Sequence, residues 1–262
     1  MANLQDKVII VTGGTSGIGA ACARHFSSIG ARVVLASNQQ AEGEALQAEL
    51  IANGNEALFV HTDVSDESSV QNMVKTAHEH FGRIDGVHCN AGVWRKGKVT
   101  EFNAADWNFV MGVNVQGVLW TAKHAIPVME QNSHENGPGG VFLVTTSVAA
   151  FIGFPEHVIY CASKAALESI VRCLATDHAG KVRVAGVCPG TIDTPMLAAT
   201  CAGWDKPVEE LYAEVAQKIP VRRLGQPADI AKAAAFLLSD DASYVNATSL
   251  ILDGGTLALP PW

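Results

Sequence analysis

The sequence predicts an α/β protein, a single doubly wound domain over residues 1–262, with about seven parallel strands and helices on both faces. Two observations carry this. Short apolar runs of strand length alternate with longer helical patterns along the whole chain. The apolar runs are continuous rather than alternating, and a strand needs that only when both of its faces are covered. No internal repeat, low-complexity stretch or interdomain linker interrupts the rhythm.

The first strand is read at Val8–Thr12, five apolar or β-branched residues ending at Gly13-Gly14. The second, Arg32–Ser37, and the third, Glu56–His61, follow helical patterns at 18–29 and 41–53. A pattern at 67–80 leads into Gly86–Asn90, and a longer one at 104–131 leads into Val141–Thr145 through the Gly/Pro/Asn turn Ser133–Gly140. The pattern at 157–178 precedes Val182–Cys188, and those at 208–217 and 227–238 precede Ser249–Asp253. Thr191–Pro207 reads as a long irregular segment, so a substrate lid is expected near 191–217.

Composition narrows the function classes. The chain is 48% hydrophobic and 17% charged, enough apolar material for a large core. A net charge of −8 without a basic run argues against nucleic acid. The six cysteines (Cys22, Cys89, Cys161, Cys173, Cys188, Cys201) are scattered, and read as reduced thiols rather than disulfides or a metal site. Residues 1–7 are polar, and no apolar run reaches the roughly 18 residues of a membrane span. A soluble cytoplasmic protein is expected, with no membrane or metal partner.

Val8–Thr12 runs directly into Gly13-Gly14-Thr15-Ser16-Gly17-Ile18-Gly19 and then a helical pattern. Strand, glycine turn and helix start together bring backbone N–H groups to a pyrophosphate. The spacing is G-x-x-x-G-x-G rather than G-x-G-x-x-G. At the end of the second strand, an acidic residue suits the ribose of NAD and an arginine suits the phosphate of NADP. Here stand the neutral Ser37 and Asn38, with no cation between Val33 and Leu58. The reading is NAD(P)(H) with a lean to NAD, since a dianion bound without a cation is the costlier arrangement.

Tyr160 and Lys164 stand four residues apart in Tyr160-Cys161-Ala162-Ser163-Lys164, so on a helix they share one face. A cation there favours phenolate over phenol. Moving a phenol from a pKa near 10 to about 7 takes roughly 4 kcal/mol. One ammonium and a cofactor's positive ring are expected to supply it, with Ser147 as hydroxyl partner in a general acid/base site.

These residues resemble the short-chain dehydrogenase/reductase family in its compact form, over the whole chain. Thr12-Gly13-x-x-x-Gly17-x-Gly19 resembles its cofactor loop, and Thr62-Asp63-Val64 its adenine-holding segment. Cys89-Asn90-Ala91-Gly92 resembles its N-N-A-G motif, with Cys in place of the first Asn. Asn114, Ser147, Tyr160 and Lys164 match its catalytic tetrad, Pro189-Gly190-Thr191-Ile192-x-Thr194 its nicotinamide turn, and Asp253-Gly254-Gly255 the end of its last strand.

The resemblance implies a Rossmann fold and an NAD(P)-dependent interconversion of secondary alcohol and ketone. Tyr160 would be the acid/base, Ser147 the hydrogen-bond donor to the substrate oxygen, and Lys164 the ribose holder. Asn114 would hold a water leading to Lys164. The cofactor would lie on Gly13, Thr15, Ser16, Gly17, Ile18, Gly19, Ser37, Asn38, Asp63, Val64, Asn90, Ala91, Gly92, Tyr160, Lys164, Pro189, Gly190, Ile192 and Thr194.

The substrate, a small molecule, would meet Val93, Trp94, Ala149, Phe154, His157 and Met196, with the lid to Trp204. Packing is an equal reading for Trp94, Phe151 and Phe154, and a solvated loop is the favoured reading for Arg95, Lys96 and Lys98. The family also implies a homotetramer paired through helices 104–131 and 157–178. The apolar tail Leu257–Trp262 is expected against a neighbouring subunit. Two rival functions are an epimerase or dehydratase of the extended relatives, which normally carry an added C-terminal domain, and a dinucleotide-sensing scaffold, which commonly loses tetrad residues.

Overall fold

Successive residues of the first strand, β1 (Val8–Thr12), serve opposite cores, because a pleated strand sends alternate side chains to opposite faces. Val8 and Ile10 join one apolar cluster and Ile9 and Val11 the other, all of them fully buried. A computed structural model describes residues 2–132, 139–201 and 206–259 of the chain. Ser133 to Pro138, Trp204 and the end of the tail, Pro260–Trp262, lie outside the described residues.

The remaining strands are β2 (Arg32–Ser37), β3 (Ala57–His61), β4 (Gly86–Cys89), β5 (Gly140–Thr145), β6 (Val182–Pro189) and β7 (Ser249–Leu252). They pair in the order β3-β2-β1-β4-β5-β6-β7, every pair parallel. Strand ends differ from the expected ones by single residues. The order reverses between β1 and β4, the crevice where open α/β sheets bind ligands.

The helices are α1 (Gly17–Ser28), α2 (Gln40–Ala52), α3 (Glu67–Phe81), α4 (Ala104–Met111), α5 (Gly117–Glu130), α6 (Val158–Asp177), α7 (Pro195–Cys201), α8 (Val208–Lys218) and α9 (Pro227–Leu238). Apolar faces of α3, α5 and α6 close one side of the sheet, through Met73, Ile126, Leu167 and their neighbours. Phe26 of α1, Leu46 of α2 and Ala234 of α9 close the other.

Two segments differ from the expected reading. The pattern at 104–131 is not one helix: Gly112–Gln116 forms a π turn between α4 and α5. Its apolar periodicity is continuous, so the extra residue of a π turn leaves no mark in the pattern. The irregular stretch after β6 contains α7, a short helix without a fully buried residue.

Candidate active site

The cleft lies where β1, β4, β5 and β6 end. Its cradle begins at Gly13, whose φ of +61° is a left-handed conformation natural to glycine. A Cβ there would meet Ala91 Cα at 2.9 Å, and one at Gly19 would meet the Gly13 carbonyl at 2.1 Å. Both glycines are therefore required by close backbone approach. Ser16 starts α1 without capping it, so the first-turn N–H groups are open to an anion. The Thr12 hydroxyl accepts from Asn90 N at 3.0 Å and Ala91 N at 3.1 Å, tying the β1 and β4 ends together. This glycine-lined cradle with open N–H groups has the form a dinucleotide needs.

At the end of β2, Thr15 Oγ1 lies 2.9 Å from Ser37 Oγ and 2.7 Å from Gln39 Oε1, a neutral cluster with Asn38 exposed beside it. Asp63 is exposed, and its Oδ1 accepts from the Ser65 amide and hydroxyl. Val64 is buried against Gly117. Cys89, standing where Asn was expected, is buried beside Thr121, and burial pushes its thiol up.

Ser147, Tyr160 and Lys164 converge on one cleft of about 300 Å³, which Gly13, Ser16, Gly17, Ile18, Asn90 and Gly92 also line. Ser147 Oγ accepts from Ala149 N at 3.1 Å, so its own proton is left to donate. Its hydroxyl stands near enough to the Tyr160 phenol to pull the phenol's pKa down. Lys164 is buried, donates to the Thr145 carbonyl at 2.9 Å, and lies 5.7 Å from the Tyr160 ring centroid.

Among the protein's own groups, burial sets the ionisation of this pair. Tyr160 is pushed up to about 12, chiefly by burial, against the opposing pull of the Ser147 hydroxyl. Lys164 is brought down to about 8 by the same cause. Desolvation disfavours the charged form of each, raising the phenol and lowering the ammonium.

Asn114 is buried in the π turn. Its Oδ1 accepts from Val93 N at 2.8 Å, and its Nδ2 donates to Val93 O and Ser163 Oγ, both at 2.9 Å. The side chain therefore clamps the loop after β4 onto α6. Pro189, Gly190, Ile192 and Thr194 also line the cleft. Asp253 closes the neighbouring turn through Gly255 N and Leu257 N.

Trp94, Ala149, Phe154, His157 and Met196 all line the cleft. Trp94 stacks on His157, their rings 5.3 Å apart and 21° from parallel. Phe151 is exposed and outside the lining. The basic loop residues turn elsewhere: Arg95 lies over the Phe109 ring at 4.0 Å, and Lys96 pairs with Glu156 at 3.4 Å.

Sequence reasoning missed several groups. The Thr145 carbonyl that holds Lys164 has no side-chain signal at all. Ser163, one turn after Tyr160, was visible in the motif by its spacing. Within the expected lid, Leu197 and Thr200 line the cleft from the helix α7. His88 is fully buried beneath Thr145, its Nε2 2.8 Å from Thr145 Oγ1. Among the described residues, no cluster of His, Cys, Asp or Glu is arranged to hold a metal, and no helix is long and apolar enough to cross a membrane.

Comparison with known proteins agrees with this geometry. A family model described as enoyl-(acyl carrier protein) reductase matches residues 13–256. The meso-2,3-butanediol dehydrogenase of Serratia marcescens is 36% identical, over 97% of this chain and 96% of its own. The 3-ketoacyl-(acyl-carrier-protein) reductase of Brucella melitensis, solved with NADH, is 31% identical with a TM-score of 0.88, covering 97% of this chain and 99% of its own. A Beutenbergia cavernae protein put forward as an NAD(P)-dependent gluconate 5-dehydrogenase, solved with NADP at low occupancy, is 30% identical with a TM-score of 0.88, covering 98% and 99%. These relatives are oxidoreductases, and the two solved ones hold a nicotinamide dinucleotide. On the matched model, the near-complete coverage and the parallel sheet, the chain belongs to the short-chain dehydrogenase/reductase family.

Proposed function

We propose that this protein interconverts a secondary alcohol and a ketone, with Tyr160 as the group that moves the proton. The observation that carries this is the convergence of Tyr160, Ser147 and Lys164 beside the glycine cradle in one cleft. The Gly13–Gly19 turn and the Asn90–Gly92 strand end would hold the dinucleotide, with Pro189, Gly190, Ile192 and Thr194 toward its nicotinamide end. When bound, the nicotinamide gives hydride to the carbonyl carbon or takes it from the carbinol carbon.

In reduction, the Tyr160 phenol donates its proton to the ketone oxygen, and the Ser147 hydroxyl stabilises the negative charge developing there. In oxidation, a Tyr160 phenolate takes the carbinol proton. The protein alone keeps Tyr160 protonated at neutral pH. Oxidation therefore requires added positive charge beside the ring, which an oxidised nicotinamide carries. Lys164 holds the ribose side and supplies the nearest ammonium. The Asn114 side chain is engaged with Val93 and Ser163. Its part is to fix the loop after β4 against α6.

The neutral Thr15–Ser37–Gln39 cluster supports NAD over NADP. The single-domain organisation, a cytoplasmic site and a homotetramer complete the reading. Exposed Trp107, Phe109 and Leu119, together with Leu250 and Ile251 at the sheet edge, support the assembly.

The test is Tyr160→Phe. Turnover is expected to be abolished while NADH binding, followed by energy transfer from the tryptophans, stays near the wild-type affinity. Turnover within about tenfold of wild type would overturn the assignment.

A further inference from the structure

His157 Nδ1 lies 2.6 Å from the Pro155 carbonyl. A carbonyl only accepts, so Nδ1 carries the proton, and in the neutral ring Nε2 is left as an acceptor. Pro155 is exposed and does not line the cleft, whereas His157 does. The donor edge of the ring thus turns out of the cleft and the acceptor edge turns in. Among the described residues Nε2 has no hydrogen-bond partner.

The ring is held in place on three sides. Trp94 stacks on it at 5.3 Å, Phe154 meets it edge-on at 6.5 Å, and the Tyr160 ring lies 6.5 Å away at 75°. The parallel bridge between Gly97 and His157, with Gly97 N donating to Glu156 O at 2.9 Å, fixes the loop that carries Trp94 to the one that carries His157. An acceptor held this firmly costs little entropy when a ligand engages it. The walls around it, Ala149, Phe154, Met196 and Leu197, are apolar. Among the described lining residues the only lysine or arginine is Lys164, which is anchored on the Thr145 carbonyl and assigned above to the ribose side. The substrate end of the cleft therefore offers a fixed acceptor and no lysine or arginine of its own.

We infer that His157 Nε2 accepts a hydrogen bond from a second hydroxyl on the substrate, so that the preferred substrates are neutral vicinal diols and the α-hydroxyketones they form. The His157 and Tyr160 rings lie 6.5 Å apart, so with the reacting oxygen at Tyr160 the second oxygen is assigned to the adjacent carbon. A mono-alcohol would occupy the same apolar walls and leave the acceptor unpaired, which is where discrimination arises. This inference rests on the Tyr160 reading above.

The test pairs butane-2,3-diol with butan-2-ol, and the matching hydroxyketone with butanone, using NAD and NADP in turn. Wild type is expected to favour the hydroxylated partner by about tenfold or more in kcat/KM. His157→Phe should cost the diol at least about tenfold more than the mono-alcohol, with the loss falling mainly on KM. His157→Gln, which keeps an acceptor oxygen, should restore part of the preference.

Equal use of diol and mono-alcohol by wild type overturns the inference. So does an equal loss for both in His157→Phe, which would mark a structural role. Turnover of neither pair also overturns it. The Tyr160 reading is then decided separately, by whether a wider panel of ketones is reduced by wild type and not by Tyr160→Phe.

Discussion

Lys164 donates its 2.9 Å hydrogen bond to a backbone carbonyl, that of Thr145, and its side chain is buried. An ammonium in that position stands beside Tyr160 at a cost in stability, because burial brings its pKa from 10.5 down to about 8. The folded state therefore binds fewer protons than the unfolded state between those two values. Stability rises with pH across that window, and the penalty is fully present below it.

Lys164→Met should remove activity and stabilise the fold. The relieved penalty, a few kcal/mol, exceeds the roughly 1–2 kcal/mol lost with the hydrogen bond. The expected net gain at pH 7 is about 1–2 kcal/mol in urea denaturation. The gap should narrow as pH rises from about 8 towards 10.5. A variant less stable than wild type at pH 7 would show that Lys164 is no burden to the fold.

His88 gives the opposite limb of the pH profile. It is fully buried, its Nδ1 has no partner among the described residues, and burial brings its pKa from 6.5 to about 3. Between those values the unfolded chain takes up a proton that the folded chain refuses. This contribution is present above pH 6.5 and is lost as pH falls through the window. From pH 7 to pH 5, wild type should lose about 2 kcal/mol more than His88→Leu. Parallel acid limbs for the two proteins would contradict the assignment.

Gly13 tests the cradle. Alanine there would hold a left-handed φ of +61° and press its Cβ to 2.9 Å from Ala91 Cα. The strain alone is about 1 kcal/mol, and the contact must displace the Asn90–Gly92 segment. Gly13→Ala should weaken NADH binding by at least about tenfold while the far-ultraviolet circular dichroism stays native. Unchanged affinity would move the dinucleotide away from this turn.

Much of this was legible beforehand, for identifiable reasons. All seven strands were visible because buried parallel strands are continuously apolar. Tyr160 and Lys164 were visible because a helical spacing of four is a statement about geometry, and Ser147 through the family resemblance, since it lies thirteen residues before Tyr160 and off that helix. The π turn at Gly112–Gln116 was not, since a single inserted residue leaves the apolar pattern intact. The burial that pushes Tyr160 up was not legible either, because a sequence shows which charges are near but not how dry they are. The Thr145 carbonyl could not be foreseen, because every residue has one.

Asn38 is the position at which the proposed preference for NAD is tested. It is exposed beside the cluster in which Thr15, Ser37 and Gln39 satisfy one another without any charge. A ribose hydroxyl can exchange hydrogen bonds with such neutral groups, whereas a phosphate dianion brought there would lose its hydration without gaining a counter-charge. Asn38→Arg would supply that charge from a position with room for the longer side chain. NADPH affinity should rise by about tenfold or more, as one charge-assisted contact allows, while NADH affinity changes by no more than about twofold. Should the variant leave NADPH binding where it was, the phosphate would be contacting some other part of the protein. The neutrality of this strand end would then say nothing about cofactor choice.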